Sequence, residues 1–243
     1  MTQQPGERDR PRGAAYHPAP PADATELGRF PAREIDDIGL TSSGAWFRAH
    51  VDRGDDEDRG CWWFASVTGP PDEAGRFDLA PPEGTCYLGQ SEEVAARERL
   101  GTRLRTVNGV ETVGASAFTA DGRPVRVTRV AVPGTRAANP SIKKAQHWVD
   151  RSLSSGTGIY ATAQAWAAAF RAAGLGGVVY EPRFTLGRAR ALALFGPGGR
   201  PAPPRAVLGS RPLEEVARDL GIRVAETPHR PGEVLSATEP PPA

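Results

Sequence analysis

Strand-like and helical runs do not alternate along this chain, and that irregular order constrains its fold more than any other feature. A doubly wound α/β domain repeats strand, helix, strand, with a crossover between each pair of parallel strands. Here residues 45–51, 61–67, 85–88, 104–113 and 124–132 read as strands, and a single short helical run opened by Ser91 interrupts them. A helix led by Asn139-Pro140 and a strong one over 160–173 follow, then strands over 177–181 and 189–195. The expectation is an α+β fold: a mixed, mostly antiparallel twisted sheet with flanking helices.

Of the 24 prolines in the 243 residues, 15 fall in residues 1–38 and 201–243. Residues 1–38 read as a disordered tail, 39–200 as the folded domain, and 201–243 as an extension with one short helix and a disordered end. A formal charge of +1 gives no electrostatic case for nucleic acid or a membrane surface as partner. Lys143 and Lys144 are the only lysines, so arginine supplies nearly all the positive charge and an isolated arginine signifies little. Cys61 and Cys86 sit in apolar runs and read as buried free thiols rather than a disulfide or metal framework. The scattered histidines give no metal site either. No apolar run approaches the ~18 residues of a membrane span, and the first residues lack a signal-peptide core. A cytoplasmic location follows by default.

Three residues stand out by position. In 45–51, Trp46, Arg48 and His50 share one strand face. Tyr87 lies on the strand that follows the turn Gly75-Arg-Phe-Asp78. Eleven positions on, Glu98 falls on the inward side of the helix capped by Ser91, together with Val94 and Ala95, while Arg97 and Arg99 point away. An arginine, a tyrosine and a glutamate converging on one pocket suit an anionic nucleotide whose chemistry passes through a positive centre. Taken singly, Arg48 reads first as a surface strand residue in a salt bridge, Tyr87 as a half-buried strand aromatic, and Glu98 as a solvated helix residue. Lys143, Lys144 and His147 read as a solvated helix face, and Trp166 with Phe170, four apart, as core.

Taken in order, these pieces resemble the RES-domain family, named for an arginine, a glutamate and a serine. Trp46-Phe-Arg-Ala-His50 resembles its opening arginine strand; Gly75-Arg-Phe-Asp78 with Gly84-Thr-Cys-Tyr-Leu-Gly89 its glycine-rich turn and tyrosine strand. Glu98 stands at its glutamate, and Thr162-Ala-Gln-Ala-Trp-Ala167, Gly174-Leu-Gly-Gly-Val-Val-Tyr180 and Ala191-Leu-Ala-Leu-Phe195 resemble its late helix and strands. The resemblance implies an ADP-ribosyltransferase-like fold and a bacterial, toxin-like enzyme that degrades NAD+ by phosphorolysis or hydrolysis of the nicotinamide–ribose bond. It implies Arg48 and Glu98 as catalytic residues, and Tyr87, Arg76 and Arg48 as substrate-binding. NAD+ is then the substrate, phosphate or water the acceptor, with no metal or further cofactor, and an antitoxin is a possible partner. The sequence departs from the family twice. Ala49 follows the arginine where several toxins carry an aromatic residue, and Tyr180-Glu-Pro-Arg-Phe184 puts Pro182 at the serine position. Proline offers neither a hydroxyl nor a backbone N–H, so a catalytically weakened nucleotide-binding or regulatory module is the alternative. Transfer of ADP-ribose to a macromolecule ranks below both, because Arg97-Glu98-Arg99 lacks the paired acidic motif expected of such a transferase.

Overall fold

The computed structural model describes residues 19–35, 45–52, 60–70, 74–132, 134–149, 153, 160–185, 187–200 and 206–225. The strands, in chain order, are β1 (Ala32–Glu34), β2 (Trp46–Val51), β3 (Glu83–Gly89), β4 (Arg105–Val107), β5 (Val110–Gly114), β6 (Thr119–Ala120), β7 (Arg123–Val130), β8 (Arg136–Ala138), β9 (Gly177–Tyr180), β10 (Ala191–Pro197), β11 (Val207–Pro212) and β12 (Arg223–Ala225). The helices are α1 (Glu92–Leu100), α2 (Tyr160–Ala172) and α3 (Leu213–Asp219). The main sheet runs β1-β8-β9-β10-β3-β2-β7-β11, with β6 pairing only with β7. Its pairings are antiparallel except β8 with β9. A small second sheet has the order β12-β5-β4. The fold is the expected mixed, mostly antiparallel α+β class.

Two-residue periodicity sorts the central strands onto two faces. Val178 and Tyr180 of β9 and Ala191, Ala193 and Phe195 of β10 turn toward α2, into a core with Trp166 and Phe170. Val179, Leu192, Leu194, Cys86, Leu88 and Trp46 pack into a second core with Phe64 and Trp62. Covered on both faces, β9 and β10 read as continuous apolar runs rather than alternating ones. A third core joins α1 to α3 through Ala96, Leu100, Val127, Leu213 and Val216. Helix α1 begins as its sequence dictates: the Ser91 hydroxyl accepts from the Val94 N–H at 3.2 Å, and Glu92 and Glu93 occupy the first turn.

Several sequence expectations are corrected. Residues 19–35 are not a tail outside the core. Ala24–Arg29 forms a 3-10 turn capped by the Asp23 carboxylate, β1 pairs with β8, and Leu27 and Phe30 are buried. The Phe30 ring lies 4.7 Å from that of Phe170 and 6.1 Å from that of Trp148. Nor does the domain end at residue 200: β11 extends the sheet beside β7, and Leu213, Val216, Ala217 and Ile222 enter the third core. Within 61–67, pairing is confined to isolated bridges at Phe64, Ala65 and Ser66 rather than a strand. The run 104–113 breaks into β4 and β5 at Asn108-Gly109, both with positive φ (51° and 77°), a tight hairpin turn. Lys143–His147 is a 3-10 turn rather than an α-helix. Residues 53–59 and the end beyond residue 225 lie outside the described residues.

Candidate active site

A cavity of about 350 Å³ opens where β2, β3, α1 and the β9–β10 connection meet, at the lower end of the size range of small-molecule pockets. Its wall holds three of the four residues singled out from sequence: Arg76, Tyr87 and Glu98. The fourth, Arg48, is on the other side of the sheet. Strand alternation turns Phe47 and Ala49 into the cavity and Arg48 away from it. The Arg48 guanidinium donates instead to the Cys61 carbonyl (3.1 Å) and the Trp63 carbonyl (2.5 Å), and contacts the Cys86 sulfur (2.6 Å). It ties the 61–63 segment to the sheet's far face. The sequence expectation that Arg48 joins Tyr87 and Glu98 in one pocket is thereby corrected. His50, on the same far face, accepts at Nε2 from the Thr128 hydroxyl (2.7 Å), because its Nδ1 faces the Val51 carbonyl (3.0 Å) and must carry the proton. Burial pushes the His50 pKa down to about 4.

Tyr87 is fixed by the turn before it. Its hydroxyl accepts from the Phe77 N–H at 2.8 Å, Thr85 donates to the Phe77 carbonyl at 2.8 Å, and Asp78 accepts from the Gly75 N–H at 2.7 Å. Residue 75 must be glycine for this turn to close: a Cβ there would lie 2.6 Å from both the Asp78 carboxylate and the Tyr87 oxygen. Gln164 of α2 holds the turn from outside by donating to the Gly75 carbonyl at 3.0 Å. Gly89 ends β3 for a similar reason, since a Cβ there would stand 2.6 Å from the Ala95 amide nitrogen and force α1 off the sheet. Burial raises the pKa of Tyr87 well above the usual tyrosine range, so it stays a neutral phenol.

Glu98 comes off α1 on the same side as Val94 and Ala95, as its spacing predicts. Its Oε1 accepts from the Phe184 N–H at 2.7 Å. Burial raises its pKa above the ordinary 4.5, and the Phe184 and Arg183 amides pull the other way. The glutamate is therefore fixed in place by the β9–β10 connection. That connection carries Pro182, which is buried and off the wall, whereas Glu181, Arg183 and Phe184 line the cavity. Thr185 is not on the wall, and its hydroxyl is buried without a partner among the described residues.

The remaining wall was not singled out from sequence. Tyr160 at the start of α2, Tyr180 at the end of β9, Phe47 and Phe184 give it an aromatic character. The rings of Tyr87 and Tyr180 meet edge to face, 6.5 Å apart. Arg76 lies over the rings of Phe77 (4.9 Å) and Tyr180 (5.9 Å) and donates to the Leu153 carbonyl. Arg99, expected to point away, also lines the cavity; of the two arginines flanking Glu98, only Arg97 turns outward, onto Glu93 and Glu111. The signal that could have located Arg99 is helical: positions 94, 95, 98 and 99 form one face. Such a wall can stack planar rings, bind oxyanions, and set one carboxylate beside them. Among the described residues, no three His, Cys, Asp or Glu side chains are grouped to hold a metal ion, and no helix is long and apolar enough to cross a membrane.

A sequence model of the RES domain matches residues 45–214, most of the chain, and spans every element of this cavity. The chain belongs to the RES-domain family. Among solved structures, this RES domain is similar to a chain of the M. tuberculosis MbcT–MbcA toxin–antitoxin complex. The two are 14% identical, with a TM-score of 0.48 over 72% of this chain and 87% of that one. No curated protein matches.

Proposed function

We propose that this RES domain degrades NAD+ by breaking the nicotinamide–ribose bond, with phosphate or water as the acceptor of ADP-ribose. The observation that carries the reading is Glu98, a half-buried carboxylate fixed by the Phe184 amide on the wall of a cavity lined by tyrosines and arginines. As the C–N bond breaks, its electron pair neutralises the nicotinamide ring and positive charge builds on the ribose carbon. A fixed carboxylate beside that carbon stabilises the charge where it develops. An oxygen of phosphate or water then forms the new bond to carbon, and with water a proton is released to solvent. Tyr87 and Tyr180 supply faces and edges for the flat nicotinamide, and the arginines supply positive charge for the diphosphate. A toxin-like role held in check by an antitoxin belongs to the same proposal and rests on the family resemblance.

Pro182 at the position of the family serine favours a second reading, a nucleotide-binding module of weakened activity. One experiment separates the two. The purified full chain is incubated with NAD+, with and without phosphate, and nicotinamide release is followed beside Glu98→Ala. Release should fall roughly a hundredfold to a thousandfold in the variant. Wild-type release no faster than that of the variant sinks the enzymatic reading, and NAD+ binding without release establishes the second. Release that requires phosphate identifies phosphorolysis.

A further inference from the structure

Arg99 is the cavity's unanswered charge. It lines the wall from the last turn of α1, and its Nε is buried with no hydrogen-bond partner among the described residues. The four other charged groups of the wall have partners, Arg183 lying over the Phe184 ring at 5.3 Å. Arg76 is bonded and stacked, Glu98 accepts from Phe184, and Glu181 lies 3.9 Å from Arg190. No carboxylate among the described residues pairs with Arg99, and its charged neighbours are the cations Arg48 and Arg103. The side chain as a whole is half-buried, so the guanidinium is within reach of a ligand. Burying its Nε unpaired is costly unless a ligand completes it.

The geometry points to an oxyanion subsite at Arg99, taking a tetrahedral phosphate group whose oxygens pair with the planar guanidinium fork. This deepens the proposed function and rests on the cavity being the ligand site. Two sources share the chemistry: the diphosphate of a bound dinucleotide, and free orthophosphate as acceptor. Arg99, not Arg48, then carries the anion-gripping role on the cavity side. Ala49, directly across from α1 on β2, leaves the wall open with a small side chain where an aromatic one would fill it.

The test uses the full chain and two probes, inorganic pyrophosphate and orthophosphate, titrated calorimetrically at low and moderate salt. Wild type is compared with Arg99→Gln, Arg99→Lys and Arg105→Gln, the last removing one exposed positive charge from β4. Arg99→Gln should weaken binding roughly tenfold to a hundredfold, the range of a charge-assisted pair. Arg99→Lys should fall between, keeping charge but losing the fork, and Arg105→Gln should match wild type. Loss for pyrophosphate alone assigns the subsite to the dinucleotide; loss for orthophosphate alone assigns it to the acceptor. The inference is overturned if wild type binds neither probe, or if Arg99→Gln, with an unchanged melting temperature, binds both as wild type does. Should Arg99→Gln melt early, Arg99→Lys decides, and wild-type affinity in that variant also overturns the fork. Nicotinamide release measured on the same samples separates the two ideas. Arg99-dependent phosphate binding without release retains the subsite and defeats the enzymatic reading; release indifferent to Arg99, with phosphate binding also unchanged, does the reverse.

Discussion

Gly75→Ala tests whether the turn that seats Tyr87 is as tightly closed as its geometry indicates. The added methyl would sit 2.6 Å from the Asp78 Oδ1 and Tyr87 hydroxyl oxygens and 2.9 Å from the Asp78 Cγ, well inside van der Waals contact. Neither neighbour can yield freely. Asp78 is 5% exposed and accepts from the Gly75 N–H at 2.7 Å, and the Tyr87 hydroxyl is held by the Phe77 N–H at 2.8 Å. Relief requires moving one of them, which adds about 1–3 kcal/mol of overpacking and about 1–3 kcal/mol for an orphaned buried N–H. The expected loss is about 2–6 kcal/mol in denaturant unfolding, with Gly28→Ala, whose methyl would meet nothing within 4 Å, near zero. A double-mutant cycle with Tyr87→Phe makes the reasoning vulnerable. Removing the hydroxyl removes one clash, so Gly75→Ala should cost less in that background. If the two changes add to within about 0.5 kcal/mol, the turn and the tyrosine are independent and the account of the site's front wall is wrong.

Two further outcomes follow from the sheet's far face. Arg48→Met should cost about 2–4 kcal/mol of stability, because the Cys61 and Trp63 carbonyls lose a charged donor; pyrophosphate affinity should stay at the wild-type value, and a fall of tenfold or more in a folded sample would return Arg48 to the ligand site. His50 titrates at the ordinary imidazole value of 6.5 when unfolded and, pushed down by burial, at about 4 when folded. The unfolded chain therefore binds the proton first, and stability is greatest above pH 6.5 and falls as pH drops from there to about 4, by up to ~3 kcal/mol. His50→Gln should flatten that slope, and equal slopes in variant and wild type would refute the buried neutral imidazole.

The fold class was legible because the strand periods and the lack of regular alternation survive in the sequence, and the turn–strand–helix from Gly75 to Glu98 was legible because its residues are local to one another. What failed was facing. A strand alternates sides unmistakably, yet nothing in 45–51 says which side is the cavity, and Arg48 ended on the far face while Phe47 and Ala49 took the near one. Arg99 was misplaced because a nine-residue helix with few apolar residues defines its inward face poorly. Tyr160 and Phe184 meet Glu98 only through the tertiary fold. The N-terminal segment is illegible in the sequence for a compositional reason. Leu27 and Phe30 stand isolated among Pro, Ala and Arg, and two apolar residues suffice when the receiving surface is the aromatic cluster of α2.

The pairing of β3 with β10 has a consequence for the order in which the protein acquires its properties. These strands are joined by seven register pairs from Ala191–Gly89 to Pro197–Glu83, so the centre of the sheet cannot form until about a hundred residues separating its halves have been synthesised. Contacts of such long sequence separation form slowly, and until they do both strands present unpaired edges. A ribosome-bound chain carrying Arg76, Tyr87 and Glu98 thus has the chemistry of the cavity without its enclosure. Whatever the completed pocket does begins only after β10 has emerged and closed onto β3.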